Sequence, residues 1–382
     1  MMRSVILWCA VGLMFFAFSA CKQGKSPEKA VEQTKEVVEN KYAKNFEIFE
    51  SNGLKYLYIL NPQNNDDTIK YVLTYDDKEG ASFEDHHVIT LPLQSIVPLS
   101  STNIGALKLL NEEKKISAVS EIEYVYDSSL QARFAQGDLK EVGQSQSLNF
   151  EKVIQLNPDL VIAIGYSGVS LSKFDKLSDF GIPVLLSTNW QESTPLARAE
   201  WIKVYGLLLD KFDESIGIFN GIESRYQEIK SHDAIKGEPE EVLVNIPFKG
   251  TWYMPNGGSY MAHFMRDAHM QTPWMHTKGT GSLALNFEEV YPFGLKTQKW
   301  INVSYENSIE GIVGLDNRFK DFASIKNGQV YNNNNKVNQA GANDYWESGP
   351  YYPDVILQDL MKIAFPKAME SHEFYYYKKL QK

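Results

Sequence analysis

Aromatic side chains set among glycines are the residues of this chain best equipped for chemistry, and the chemistry they suit is capture. In Gly250-Thr251-Trp252-Tyr253-Met254-Pro255-Asn256-Gly257-Gly258-Ser259-Tyr260, directly after the apolar run 242–246, Trp252, Tyr253 and Tyr260 offer flat apolar faces with polar tips, suited to a large chelate or macrocycle. Open α/β sheets bind ligands in loops at the carboxyl ends of their strands, and this segment is expected to be such a loop. Trp274, in Thr272-Pro273-Trp274, and the pair Tyr345-Trp346 are further loop candidates. Any one of these rings is equally well explained as a half-buried loop anchor; as a set they point to a ligand. Catalytic machinery is not expected: there is no HExxH, no GxxxxGK and no nucleophile elbow, and Gly165-Tyr166-Ser167-Gly168 has the wrong glycine spacing. Nor is a metal-ion site of three or four ligands. His86 and His87 would point to opposite sides of a strand, and His263, His269 and His276 are spaced too irregularly to share a face. The chain is expected to be no enzyme and to hold no resident metal or cofactor.

Two sets of elements would position these rings. Up to about Trp190, apolar strands such as 160–164 and 182–186 alternate with helical segments, and the alternation resumes beyond Gly237-Glu238-Pro239 with strands at 242–246, 300–303 and 329–331. That pattern predicts α/β architecture, with two Rossmann-like lobes. Between them Trp201, Val204, Tyr205, Leu208, Phe212, Phe219, Tyr226 and Ile229 keep a helical period. At ~1.5 Å per residue this predicts one spine helix of roughly 40 Å, with the ligand cleft between the lobes. The expected divisions are an N-terminal lobe over 45–190, opened by a hairpin of strands near 54–59 and 69–73, a spine helix over 191–232 and a C-terminal lobe over 233–382.

The compartment is written in the first residues. Arg3 precedes an apolar run from Val5 to Phe18, and Ser19-Ala20-Cys21 follows, which reads as a secretory signal over 1–20 ending in a lipobox and too short to span a bilayer. Two acyl chains on Cys21 would suffice for stable anchoring. Cys9 would leave with the signal, so the mature chain has no disulfide. From there to Lys44 the chain is too polar to order itself and is expected to be a tether, completing a segment of lipidated cysteine and linker over 21–44. A formal net charge of −10 argues against a nucleic-acid surface.

One hexapeptide occurs twice, as Leu148-Asn149-Phe150-Glu151-Lys152-Val153 and Leu285-Asn286-Phe287-Glu288-Glu289-Val290. Asparagine as N-cap with glutamate in the first turn suits the positive end of a helix dipole. The first copy belongs to a longer pattern, Glu141-Val142-Gly143, then 149–154, then Leu156-Asn157-Pro158-Asp159-Leu160-Val161-Ile162. It resembles the substrate-binding proteins of siderophore, haem and cobalamin ABC importers. The likeness continues through Gly181-Ile182-Pro183-Val184 and 325–331, covering about 86–366 and leaving the tether and hairpin unaccounted for.

The resemblance implies a bilobal protein with one long connecting helix, little hinge motion and a ligand in the cleft. It implies that Glu151 and Glu288 dock onto arginines of a permease dimer in the inner membrane. The protein would be a monomer, lipid-anchored on the periplasmic side of that membrane, or on the extracellular face of a single-membrane cell. Some relatives of this kind line the cleft with arginines for anionic ferric siderophores. Here Gly143-Gln144-Ser145-Gln146-Ser147 is neutral, and beyond Cys21 there are only Arg133, Arg198, Arg225, Arg266 and Arg318. With Arg198 and Arg225 on or near the spine, Arg133 and Arg266 remain as cleft charges. A neutral or weakly charged cargo is expected: an iron–siderophore complex, with cobalamin or haem as alternatives.

Overall fold

Alternating apolar residues build the first layer. The computed structural model describes residues 36–64, 67–75, 83, 85–165, 169–232 and 237–382; the expected signal, Cys21 and the first part of the tether lie outside them. Strands β1 (Glu36–Val38), β2 (Phe46–Ser51), β3 (Leu54–Leu60) and β4 (Thr68–Thr74) are antiparallel neighbours, and β5 (His87–Thr90) joins β4 in parallel. Phe46, Ile48, Leu57, Ile59, Tyr71 and Leu73 are buried at the two-residue period of a strand with one face inward. The expected hairpin is thus the centre of a five-stranded sheet.

The chain just before β2 is held by two buried carboxylates. Glu200 accepts from the successive backbone N–H groups of Lys41, Tyr42 and Ala43, each at 2.8 Å, and pairs with Lys203 at 2.6 Å. Glu192 accepts from Lys44 and Asn45 at 2.9 and 2.8 Å. The expected tether therefore ends in fixed structure well before residue 44.

Strands β6 (Ile96–Pro98), β9 (Leu160–Ile164) and β10 (Val184–Ser187) form a parallel sheet in the order β10-β9-β6. The strand pair β7 (Ala118–Val119) and β8 (Lys140–Glu141) lies beside it. Helices α1 (Ser101–Leu109), α2 (Ser128–Gln136), α3 (Phe150–Leu156) and α4 (Asp175–Ser178) connect these strands. Val161, Ile162 and Ala163 are fully buried, as a continuous apolar run in a parallel sheet should be.

The connecting segment is helical but is not one rod, which corrects the sequence expectation. It consists of α5 (Pro195–Glu200), α6 (Ile202–Leu208) and α7 (Phe212–Lys230). Asp210 adopts a left-handed backbone, φ 57°, and the amide of Lys211 closes on the Gly206 carbonyl at 2.8 Å, the manner in which a helix is capped and turned. The turn lays α7 against α6 so closely that a Cβ at Gly206 would come within 2.2 Å of the Ser215 hydroxyl.

The second lobe is centred on parallel strands β11 (Glu240–Val244), β13 (Met270–Gln271), β15 (Lys299–Ile301) and β16 (Val330–Asn332), in the order β13-β11-β15-β16, with β17 (Lys378–Lys379) added antiparallel at the edge. A separate antiparallel ribbon pairs β12 (Thr251–Pro255) with β14 (Ser282–Asn286). Helices α8 (Tyr260–Asp267), α9 (Phe287–Gly294), α10 (Ile309–Leu315), α11 (Ala323–Lys326), α12 (Asp344–Glu347) and α13 (Pro353–Ala364) complete it. Among the described residues no helix is long and apolar enough to cross a membrane.

The lobes meet through backbone, not only through side chains. Thr102 donates to the Trp346 carbonyl at 2.9 Å, Glu347 accepts from the Tyr126 amide at 2.7 Å and Asn338 donates to the Val125 carbonyl at 3.0 Å. Any Cβ at position 105 would lie 2.0 Å from the Glu347 carbonyl oxygen, so only glycine permits this approach of α1 to α12.

Candidate functional site

Loops at the carboxyl ends of strands in both lobes carry four of the exposed rings among the described residues. After β7 comes Tyr124, after β10 Trp190, after β11 Phe248 and after β15 Tyr305, the last 92% exposed. The Tyr124 hydroxyl is raised above the ordinary range, first by its hydrogen bond to Glu123. In the second lobe Asn245, Lys249, Asn302 and Ser304 all adopt left-handed backbone, φ 50–61°. Non-glycine residues pay for this, and such strain persists where the surroundings fix a loop for use.

Arg198 joins the lobes beneath these loops. Its guanidinium donates to the carbonyls of Glu192 at 3.0 Å and Trp190 at 2.6 Å and lies 3.7 Å from the ring centre of Tyr260, a cation–π contact. Burial pushes the Arg198 pKa down and, against the neighbouring charge of Arg198, pushes that of Tyr260 well up.

The other sequence candidates divide. Trp252 is 0% exposed: its indole donates to the Val244 carbonyl at 2.8 Å and stacks on Trp300 at 5.9 Å. The segment expected to be a loop is strand β12, and period 2 turns Trp252 into the core while Tyr253 faces out. Tyr345 is buried, edge-on to Trp346, which is exposed. Trp274 is half-buried and edge-on to Phe293 at 5.6 Å, a loop anchor. Arg133 is no cleft charge, because its guanidinium donates to the Glu113 and Ile116 carbonyls of its own lobe. Arg266 donates to the Gly257 carbonyl and borders a groove of about 500 Å³ with Pro239, His269 and Met275 along the β13 edge, whose lining includes none of Tyr124, Trp190, Phe248 and Tyr305. Arg225 pairs with Asp354 and Arg318 with Asp316. All five arginines beyond Cys21 are thus engaged.

Tyr124, Trp190, Phe248 and Tyr305 went unrecognised in the sequence, although three of them stand a few positions beyond a buried-strand run. Among the described residues no group of three or more His, Cys, Asp or Glu could hold a metal ion.

The repeated hexapeptide forms the same device in each lobe. Asn149 accepts from the Lys152 amide at 3.0 Å and Asn286 from the Glu289 amide at 2.9 Å, while Val153 and Val290 are fully buried. Glu151 and Glu288 are left exposed in the first turns of α3 and α9. Arg318 approaches Glu288 no closer than 3.5 Å.

At the lobe junction Glu347 is raised to about 8, chiefly by burial, with Asp127 and Asp344 adding and the Tyr126 amide and Lys108 opposing. A carboxyl raised in the folded state contributes stability that is full below its unfolded value near 4.5 and is lost as pH rises through about 8. Glu347→Gln keeps an acceptor for Tyr126. In urea unfolding from pH 5 to 8 it is expected to gain on the wild type by ~1 kcal/mol per pH unit; parallel curves would show that Glu347 is ionised in the fold.

The sequence pattern of periplasmic binding proteins matches residues 96–332. A lipoprotein of Methanocaldococcus jannaschii is 25% identical over 371 residues, covering 89% of this chain and 84% of that one. The vitamin B12-binding protein of Vibrio campbellii is 37% identical over 108 residues, 28% of this chain and 36% of its own. The ABC-type Fe3+-hydroxamate transport system structure from Saccharomonospora viridis superposes with a TM-score of 0.53 at 16% identity, covering 80% of this chain and 98% of that one.

Proposed function

Because this chain belongs to the periplasmic binding protein family, we propose that it captures a neutral or weakly charged metal chelate, an iron–siderophore complex first, between its two lobes. The family consists of extracytoplasmic solute-binding proteins of ABC transporters, which are not enzymes. The observation that carries the cargo assignment is the pairing of exposed rings on the strand-end loops with arginines that are all engaged elsewhere. A trianionic cargo would find no free guanidinium there, whereas a chelate with apolar faces would bury area on Tyr124, Trp190 and Tyr305. Lys249, whose ammonium lies 5.2 Å from the Phe248 ring centre, adds a single cation at the rim.

Cobalamin is the second reading, favoured by the 108-residue likeness to the Vibrio campbellii protein. Haem, the third, would use an exposed phenol such as that of Tyr305 as axial ligand. Lipidation at Cys21, supported by the lipoprotein relative, would hold the body at the membrane, and Glu151 and Glu288 would engage the permease.

Tryptophan quenching with calorimetry tests the reading on the chain from residue 36 onward, titrated with ferric hydroxamates, cyanocobalamin, haemin and bare divalent ions. One chelate is expected to bind at about micromolar or tighter, with Tyr305→Ala weakening it about tenfold. A response to bare ions alone, or to nothing, would remove the chelate assignment and leave the family standing.

A further inference from the structure

The end of the chain carries Phe374-Tyr375-Tyr376-Tyr377, a run for which ligand capture alone has no use. Asp359 on α13, fully buried, accepts through Oδ1 from the Tyr375 amide at 3.0 Å and through Oδ2 from the Tyr376 and Tyr377 amides at 2.7 and 2.9 Å, and His372 Nε2 stands 2.6 Å from Oδ1. A carboxylate gathering three consecutive N–H groups is a strong, directional clasp. Directly afterwards β17 pairs with β16, Lys379 opposite Tyr331, so the tyrosine run is fixed at both ends.

That clasp leads into the strand-end loops. Tyr377, fully buried, donates its hydroxyl to Asn302 Oδ1 at 2.8 Å and packs edge-on to Tyr345 at 6.0 Å. Asn302 opens the turn that presents Tyr305, and within it Asn302 and Ser304 are both left-handed at φ 60°. From the strand behind, Asn332 donates to the carbonyls of Ser304 and Glu306 at 2.8 and 2.9 Å. Among the described residues the side-chain amide of Asn302 has only a 3.7 Å contact with Met261 Sδ, which leaves the Tyr377 hydroxyl as the firm hold on that side chain, while the backbone amide donates to the Tyr331 carbonyl at 3.1 Å. Two left-handed non-glycine residues in one short turn persist only when neighbours over-determine them.

We propose that the Asp359-clasped tail is a positioning element of the ligand cleft, with Tyr377 fixing the Asn302–Tyr305 turn and so the placement of Tyr305. This rests on the cleft assignment above. Tyr377→Phe keeps the buried ring and removes only the hydroxyl. In the ligand-free chain, amide hydrogen exchange at Ser304, Tyr305 and Glu306 is expected to quicken about tenfold in Tyr377→Phe and in Asp359→Asn, while β11 stays unchanged. Unchanged exchange at the turn overturns the proposal whatever the cargo. With the chelate that the wild type binds, Tyr377→Phe is expected to weaken affinity several-fold, and to have no effect in a Tyr305→Ala background. An equal loss in both backgrounds would mean that Tyr377 is structural and does not act through Tyr305. A wild type that binds no chelate fails the cleft reading, and the exchange experiment then still decides whether the tail sets the turn.

Discussion

Replacing Glu151 and Glu288 together with alanine is expected to reduce chelate uptake, and the ATPase response of the transporter to loaded protein, to near background, while chelate affinity stays within about twofold of wild type. The expectation rests on what the two carboxylates do not do. Capping of α3 and α9 is supplied by Asn149 and Asn286, and the apolar faces beneath are supplied by Val153 and Val290, so neither glutamate is required by its helix. The Glu288 side chain is 76% exposed, and its pairing with Arg318 at 3.5 Å is a loose surface contact, since Asp316 holds that guanidinium at 2.6 Å. One equivalent carboxylate per lobe, each free of structural duty, is what registration against a two-fold partner requires. Either single replacement should give an intermediate loss, since one pin still orients the encounter. Undiminished transport by the double variant, with binding intact, would place the docking surface elsewhere.

What could be read in the sequence was local. The duplicated hexapeptide announced two capped helices because cap chemistry reaches only three residues, and the runs at 160–164 and 242–246 announced buried strands because their periodicity needs no partner. Features set by distant partners stayed hidden. Trp252 pairs across the ribbon with Leu285, and without that partner its glycine-rich flanks resemble a loop. Arg133 spends its charge on backbone carbonyls at 113 and 116, which no residue type reveals. The segment 41–44 looked like linker because the glutamates that gather its amides lie at 192 and 200. The apolar stripe of the spine continued through Leu209, yet Asp210 turns the chain, and an apolar periodicity does not register a single left-handed residue.

The reassignment of Trp252 gives the second large effect. Trp252→Ala is expected to lower stability by ~3–5 kcal/mol, the range for removing a fully buried large aromatic, because the indole is enclosed by Trp300, Phe287, Phe319 and Phe322. It would also strand the Val244 carbonyl that the indole now satisfies. The thermal midpoint should fall by about 5–15 °C in a body of this size. Below the transition the folded fraction should bind chelate as tightly as wild type, since the ring is fully buried and offers a ligand no surface. Tyr253, the next residue on β12, faces out at 44% exposure. Tyr253→Ala should leave the midpoint where it is, so any effect it has must appear in affinity. Scanning calorimetry and titration on the two variants therefore determine which face of β12 meets the core. If Trp252→Ala weakened binding and left the midpoint unchanged, the strand would be turned over, and the cleft would have to be redrawn around the indole.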